Sequence, residues 1–142
     1  MRPKNIVITV SVAFIALTLA ACSRNAGTSS GEKTIKSTQT GNLTVTLASS
    51  TGEIKSGEND LILLFADSSG KTLDVGAAAL KFHMPAMGSM AEMNDSATLT
   101  TTSTPGKYNA KVDIEVDGTW EAIVDYQGPQ GTGQARMTVQ AK

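Results

Sequence analysis

The chain has 142 residues, a formal net charge of −1, six methionines, one histidine and one cysteine. That length supports one domain of about 100 residues with its own core and not two. Aromatic residues make up only 4% and no basic run occurs, so nothing points to nucleic acid. A single cysteine excludes an internal disulfide, a thiolate zinc site and an iron–sulfur cluster.

The first 21 residues read as a targeting segment. Arg2 and Lys4 make a basic start, Ile6 to Ala21 is mostly apolar, and small residues lead into Cys22. A spanning helix needs about 20 apolar residues, so this run is short for a permanent anchor, which is the alternative reading. Leu19-Ala20-Ala21-Cys22 resembles the bacterial lipobox. That resemblance implies cleavage before Cys22, lipid on Cys22, and a module held to a membrane of the cell envelope on the extracytoplasmic, periplasmic side. Ser23 in the next position is similar to the sorting pattern of the Gram-negative outer membrane. Loss of the leader removes Arg2 and Lys4 and leaves ten basic and thirteen acidic residues, a net charge of −3. Residues 22–41 are rich in Ser, Thr, Gly and Lys and are expected to form a flexible linker from the lipidated cysteine to a domain at 42–142.

From Leu43 onward, short alternating runs separated by turn residues repeat to the end. Leu43, Val45 and Leu47 form the first; Leu61 to Ala66 is a continuous apolar run closed by Asp67-Ser68-Ser69-Gly70. Val75 to Met84 and Ala97 to Thr102 follow. Tyr108, Ala110, Val112, Ile114 and Val116 make a strict period-two stripe, and Asp117-Gly118 after it is a favoured hairpin turn. Trp120, Ala122, Val124 and Tyr126 make the next stripe, and Ala135, Met137 and Val139 the last. No stretch keeps a helical period over three turns. About seven short strands at this spacing predict an all-β, immunoglobulin-like antiparallel β-sandwich. Trp120 and Met137 are expected in its core.

Between His83 and Met93 lie four of the six methionines, Met84, Met87, Met90 and Met93, one every third residue. A thioether is a soft, uncharged donor, suited to Cu(I) or Ag(I) and poorly suited to hard cations. In the strand ending at Met84, Leu80, Phe82 and Met84 share a face, so Met84 continues the core side and His83 stands opposite with Lys81. Pro85 lacks an N–H and should end the ladder. Beyond it, a loop or short helical turn is expected to curl two or three sulfurs around one ion. Met87, Met90 and Met93 stand among Gly88, Ser89, Glu92, Asn94 and Asp95, a polar setting for side chains that would merely cap a core. Docking onto a protein partner is the other reading of such a cluster. His83 is a candidate fourth ligand, and an imidazole ligand is lost on protonation in mild acid. Catalysis is not expected: one histidine, no thiol beyond Cys22 and no Gly-x-Ser-x-Gly elbow are present, and Asp113 and Glu115 alternate as a solvated face does.

Met84-Pro85-Ala86-Met87-Gly88, followed by Gly106-Lys107-Tyr108 and Gly118-Thr119-Trp120, resembles the YtkA-like domain and its relative FixH over roughly Asn42 to Lys142. The resemblance implies a small extracytoplasmic β-sandwich associated with copper handling or heavy-metal efflux. FixH relatives carry a long membrane anchor, where this chain has a lipobox. Many relatives have a histidine soon after Met-Gly, where this chain has Ser89 and Met90. The expectation is therefore a lipoprotein that binds Cu(I) or Ag(I) through His83, Met84, Met87, Met90 and Met93. It would buffer the ion or pass it to an efflux system or a cuproenzyme assembly partner. A metal-independent module docking such a partner through the same segment is the alternative.

Overall fold

The computed structural model describes residues 31–142. The expected leader, Cys22 with its expected lipid, and the first part of the expected linker lie outside them. Nine strands occur among the described residues: β1 (Lys33–Thr40), β2 (Leu43–Ser49), β3 (Gly57–Ala66), β4 (Ala77–Met84), β5 (Met93–Ser96), β6 (Thr98–Thr101), β7 (Lys107–Ile114), β8 (Gly118–Gly128) and β9 (Gly131–Ala141). They form two antiparallel sheets, one ordered β1-β2-β3-β7-β6 and the other β5-β4-β8-β9. With β2, β3, β7 and β6 in the places of strands A, B, E and D, and β4, β8 and β9 in those of C, F and G, the order is that of an immunoglobulin-like sandwich. The seven expected strands are this set; β1 and β5 are additions at the sheet edges.

β1 corrects the linker boundary. Residues 33–40, expected in the flexible segment, pair with the whole of β2, from Lys33 opposite Ser49 to Thr40 opposite Leu43. The strand has no apolar alternation because it is an edge with most side chains exposed. Its single large apolar residue, Ile35, sits where the register shifts between Thr34 and Lys36, and packs against the core. The Thr40 hydroxyl reaches the Gln134 carbonyl on β9 at 3.3 Å, so β1 also bears on the edge of the second sheet.

The inner faces follow the period-two stripes. Val45, Leu47, Leu61, Leu63, Phe65, Leu80, Phe82, Ala110, Ile114, Trp120, Ala122 and Val124 are all buried in one cluster. Met137 is in it too, and Trp120, 1% exposed, donates its indole N–H to the Val116 carbonyl at 3.1 Å. The Asp67 turn forms as its residues dictate. The carboxylate accepts from the Ser69 N–H at 2.8 Å, the Ser69 hydroxyl at 2.6 Å and the Lys71 N–H at 3.0 Å. The Ser69 hydroxyl, first among these, and the Lys71 N–H hold the carboxyl below its ordinary value.

Asp117-Gly118 is not a hairpin turn. β7 and β8 belong to different sheets, so the residues between them carry the chain across the sandwich. A stripe buried on one face looks the same whether its successor pairs beside it or faces it across the core. The β4–β5 hairpin projects at this same end, because β4 finishes where β8 begins, with His83 opposite Glu121.

Candidate metal centre

Strand alternation sets the first division within the methionine segment. Leu80, Phe82 and Met84 face inward and are 1%, 0% and 2% exposed, while His83 is on the outer side of β4. Met84 stands directly opposite Met93 on β5, and Met93 is half-buried against the core. A side chain at Gly118 would bring its Cβ within 3.0 Å of the Met84 methyl carbon, so the Gly-x-Trp glycine leaves room for that thioether.

The residues that follow form neither an open loop nor a helical turn. Pro85 interrupts the ladder, but pairing resumes at Met87 and Met90, whose N–H groups donate to each other's carbonyls at 3.1 and 2.9 Å. Gly88 turns the chain with φ +57° and Ser89 has no positive φ, the pattern of a two-residue II′ hairpin turn. This pair continues the register of Met84 and Met93, three positions further along the hairpin. Three positions in a pleated ladder reverse the face. Accordingly, Met87 is 52% and Met90 43% exposed, the exposed large hydrophobic side chains among the described residues. The four methionines are thus two cross-strand pairs, Met84–Met93 toward the core and Met87–Met90 at the solvent-facing tip.

His83 belongs to neither pair. Its Nδ1 is 2.9 Å from Oδ1 of Asn94, its neighbour across β5. With an amide oxygen as partner, Nδ1 is the donor. His83 and Met87 are four positions apart, about 13 Å along an extended chain, and side chains standing perpendicular to a strand do not meet over that span. Asp95 is turned the other way, accepting the Glu115 N–H at 3.3 Å. Among the described residues no three His, Cys, Asp or Glu side chains gather as a metal-binding group. The chemistry on offer is therefore a pair of exposed, neutral thioethers on one tight turn.

The sequence carried one overlooked signal for this geometry. Met-Gly-Ser-Met places glycine first in a two-residue loop, which is a hairpin signature, and centring a hairpin there pairs Met84 with Met93. Spacing by threes drew attention to helices and loops instead.

A family model described as YtkA-like matches residues 37–125, more than half of the chain. The matched span runs from within β1 to within β8 and takes in the methionine hairpin, Gly106 and Gly118. No curated protein and no solved structure matches the chain.

Proposed function

The chain belongs to the YtkA-like family, and from that premise we propose that it captures Cu(I) or Ag(I) through Met87 and Met90. The single observation behind this reading is the Met87–Met90 bridge, which holds two thioethers side by side in water. Cross-strand neighbours have Cβ atoms about 4.5–5.5 Å apart, a spacing from which two flexible side chains can reach one ion. Soft donors without charge favour a soft monovalent ion over Mg²⁺ or Ca²⁺. A pair leaves the coordination shell open, which suits an ion taken up from one partner and released to another. Met84, Met93 and His83 support the turn in this scheme: the first two root the hairpin in the core and the third ties β4 to β5.

The site would work outside the cytoplasm, tethered to an envelope membrane by lipid on Cys22. The ion would be buffered there, or passed to an efflux system or a cuproenzyme assembly partner. Titration of the protein with Ag(I) or Cu(I) while following methionine methyl resonances tests the site. The Met87 and Met90 methyls are expected to shift first, and those of Met84 and Met137 to stay. No movement at micromolar ion removes the proposal. Exposed apolar side chains also suit docking to a protein. Capture of an efflux component under chelation, lost on replacing Met87 and Met90 by serine, would select that second reading.

A further inference from the structure

The same division of the methionines has a chemical consequence that does not need a metal. A thioether reacts with oxidants where they can reach its sulfur lone pairs. Met84 and Met137 are 2% and 4% exposed and lie in the core cluster, whereas Met87 and Met90 are 52% and 43% exposed. Met93, half-buried against the core, stands between these extremes. The turn that presents Met87 and Met90 is closed only by its own two backbone hydrogen bonds, with Gly88 at its apex, and a Cβ built on Gly88 meets nothing within 4 Å. Peroxide therefore has an unobstructed approach to Met87 and Met90 and none to Met84 and Met137.

We propose that Met87 and Met90 are oxidative modification sites, and that their conversion to sulfoxides by a peroxide turns off soft-metal capture at the tip. The second half of this statement rests on the metal-binding reading above. In each step a sulfur lone pair attacks one oxygen of hydrogen peroxide, an S–O bond forms and the O–O bond breaks. The hydroxide that leaves takes up the proton of the transferred hydroxyl, giving one water. Sulfur loses two electrons and peroxide gains them. The product presents a hard, polar oxygen where a soft donor stood, which a monovalent soft ion does not favour. Because these side chains lie outside the core, the sandwich persists. The change is reversible by methionine sulfoxide reductase chemistry. An ion held at the tip would in turn occupy the lone pairs and shield them.

The test is a time course of the purified full chain in hydrogen peroxide, with peptide mapping of each methionine and circular dichroism of the fold. Met87 and Met90 are expected to oxidise at least about tenfold faster than Met84 and Met137, with the strand signal retained. Equal rates at the four positions, or loss of the fold in step with the first two oxygens, would overturn the modification sites. Replacement of Met87 and Met90 by leucine should abolish the fast uptake of two oxygens, and fast uptake persisting in that variant counts against the assignment. Ag(I) titration before and after oxidation then separates the two halves. Binding lost on oxidation and regained after reductase treatment supports the switch. Equal binding before and after removes the switch while leaving metal capture intact. No binding even before oxidation removes metal capture, and the switch with it, while the selective oxidation stands.

Discussion

Methionine occupies two environments in this chain, and exposure separates them. Met84 is a core residue whose methyl rests over Gly118. Met84→Ala is expected to cost about 2–5 kcal/mol of stability, measured by denaturant unfolding, as for other buried methionines cut back to a methyl. Met87→Ser or Met90→Ser should change stability by no more than about 0.5 kcal/mol and yet remove Ag(I) binding, because these side chains touch water rather than the interior. His83 gives a complementary test. It is bound to Asn94 on the outer face and distant along the strand from Met87. Ag(I) affinity is therefore expected to stay constant between about pH 5 and 8 and to be unchanged in His83→Gln. Affinity that falls in acid and depends on His83 would place the imidazole in the coordination shell.

At the scale of elements, the two additions to the seven-strand sandwich are the informative ones. β5 exists because Gly88 and Ser89 turn the chain tightly enough for Met93 to Ser96 to return along β4. β1 exists because Thr and Ser tolerate an exposed edge and β2 supplies an unpaired ladder. A chain starting at Asn42 would bare that edge along Leu43–Ser49. It should melt more than about 4 °C lower than one retaining β1, and should self-associate on gel filtration. Identical melting would mean that β1 adds nothing to the fold. The Gly106-Lys107-Tyr108 element also gains a reason here. Gly106 has φ +80°, and a Cβ there would collide with the Leu73 carbonyl oxygen, so only glycine fits two residues before Tyr108.

Across the whole molecule, the sheets are joined by aromatic contacts and one buried hydroxyl. Phe65 on the first sheet meets Tyr108 and Tyr126 edge-on at 5.9 and 5.8 Å, and Tyr126 belongs to the second sheet. The Tyr108 hydroxyl crosses to donate to the Gly76 carbonyl at 2.7 Å, just ahead of β4. Burial, and then the Asp74 carboxylate, push the Tyr108 phenol above its ordinary 10.0. Its pKa is higher folded than unfolded, so this contribution is complete below pH 10.0 and declines as the unfolded chain ionises above it. Tyr108→Phe should cost about 1 kcal/mol near neutral pH and flatten the fall in stability on the alkaline side, read from urea midpoints. An unchanged alkaline limb would assign that fall to other groups.

The sandwich was legible because burying one face of a strand writes an alternation into its residues, and Leu43–Leu47, Leu80–Met84, Tyr108–Ile114 and Trp120–Tyr126 all carry it. The same rule placed Met84 inside and His83 outside, and turn chemistry at Asp67 needed no tertiary information. β1 was illegible because an edge strand with mostly exposed side chains and one apolar residue on the core, Ile35, has no alternating face to mark. The partners of each stripe were illegible as well, since alternation records that a face is buried and not against what; hence Asp117-Gly118 read as a hairpin where the chain crosses between sheets. The order of residues alone established that soft donors are concentrated in one stretch. Which of them reach solvent together was decided by the hairpin register, because pairing Met87 with Met90 across Gly88-Ser89 rotates that pair away from the core that holds Met84.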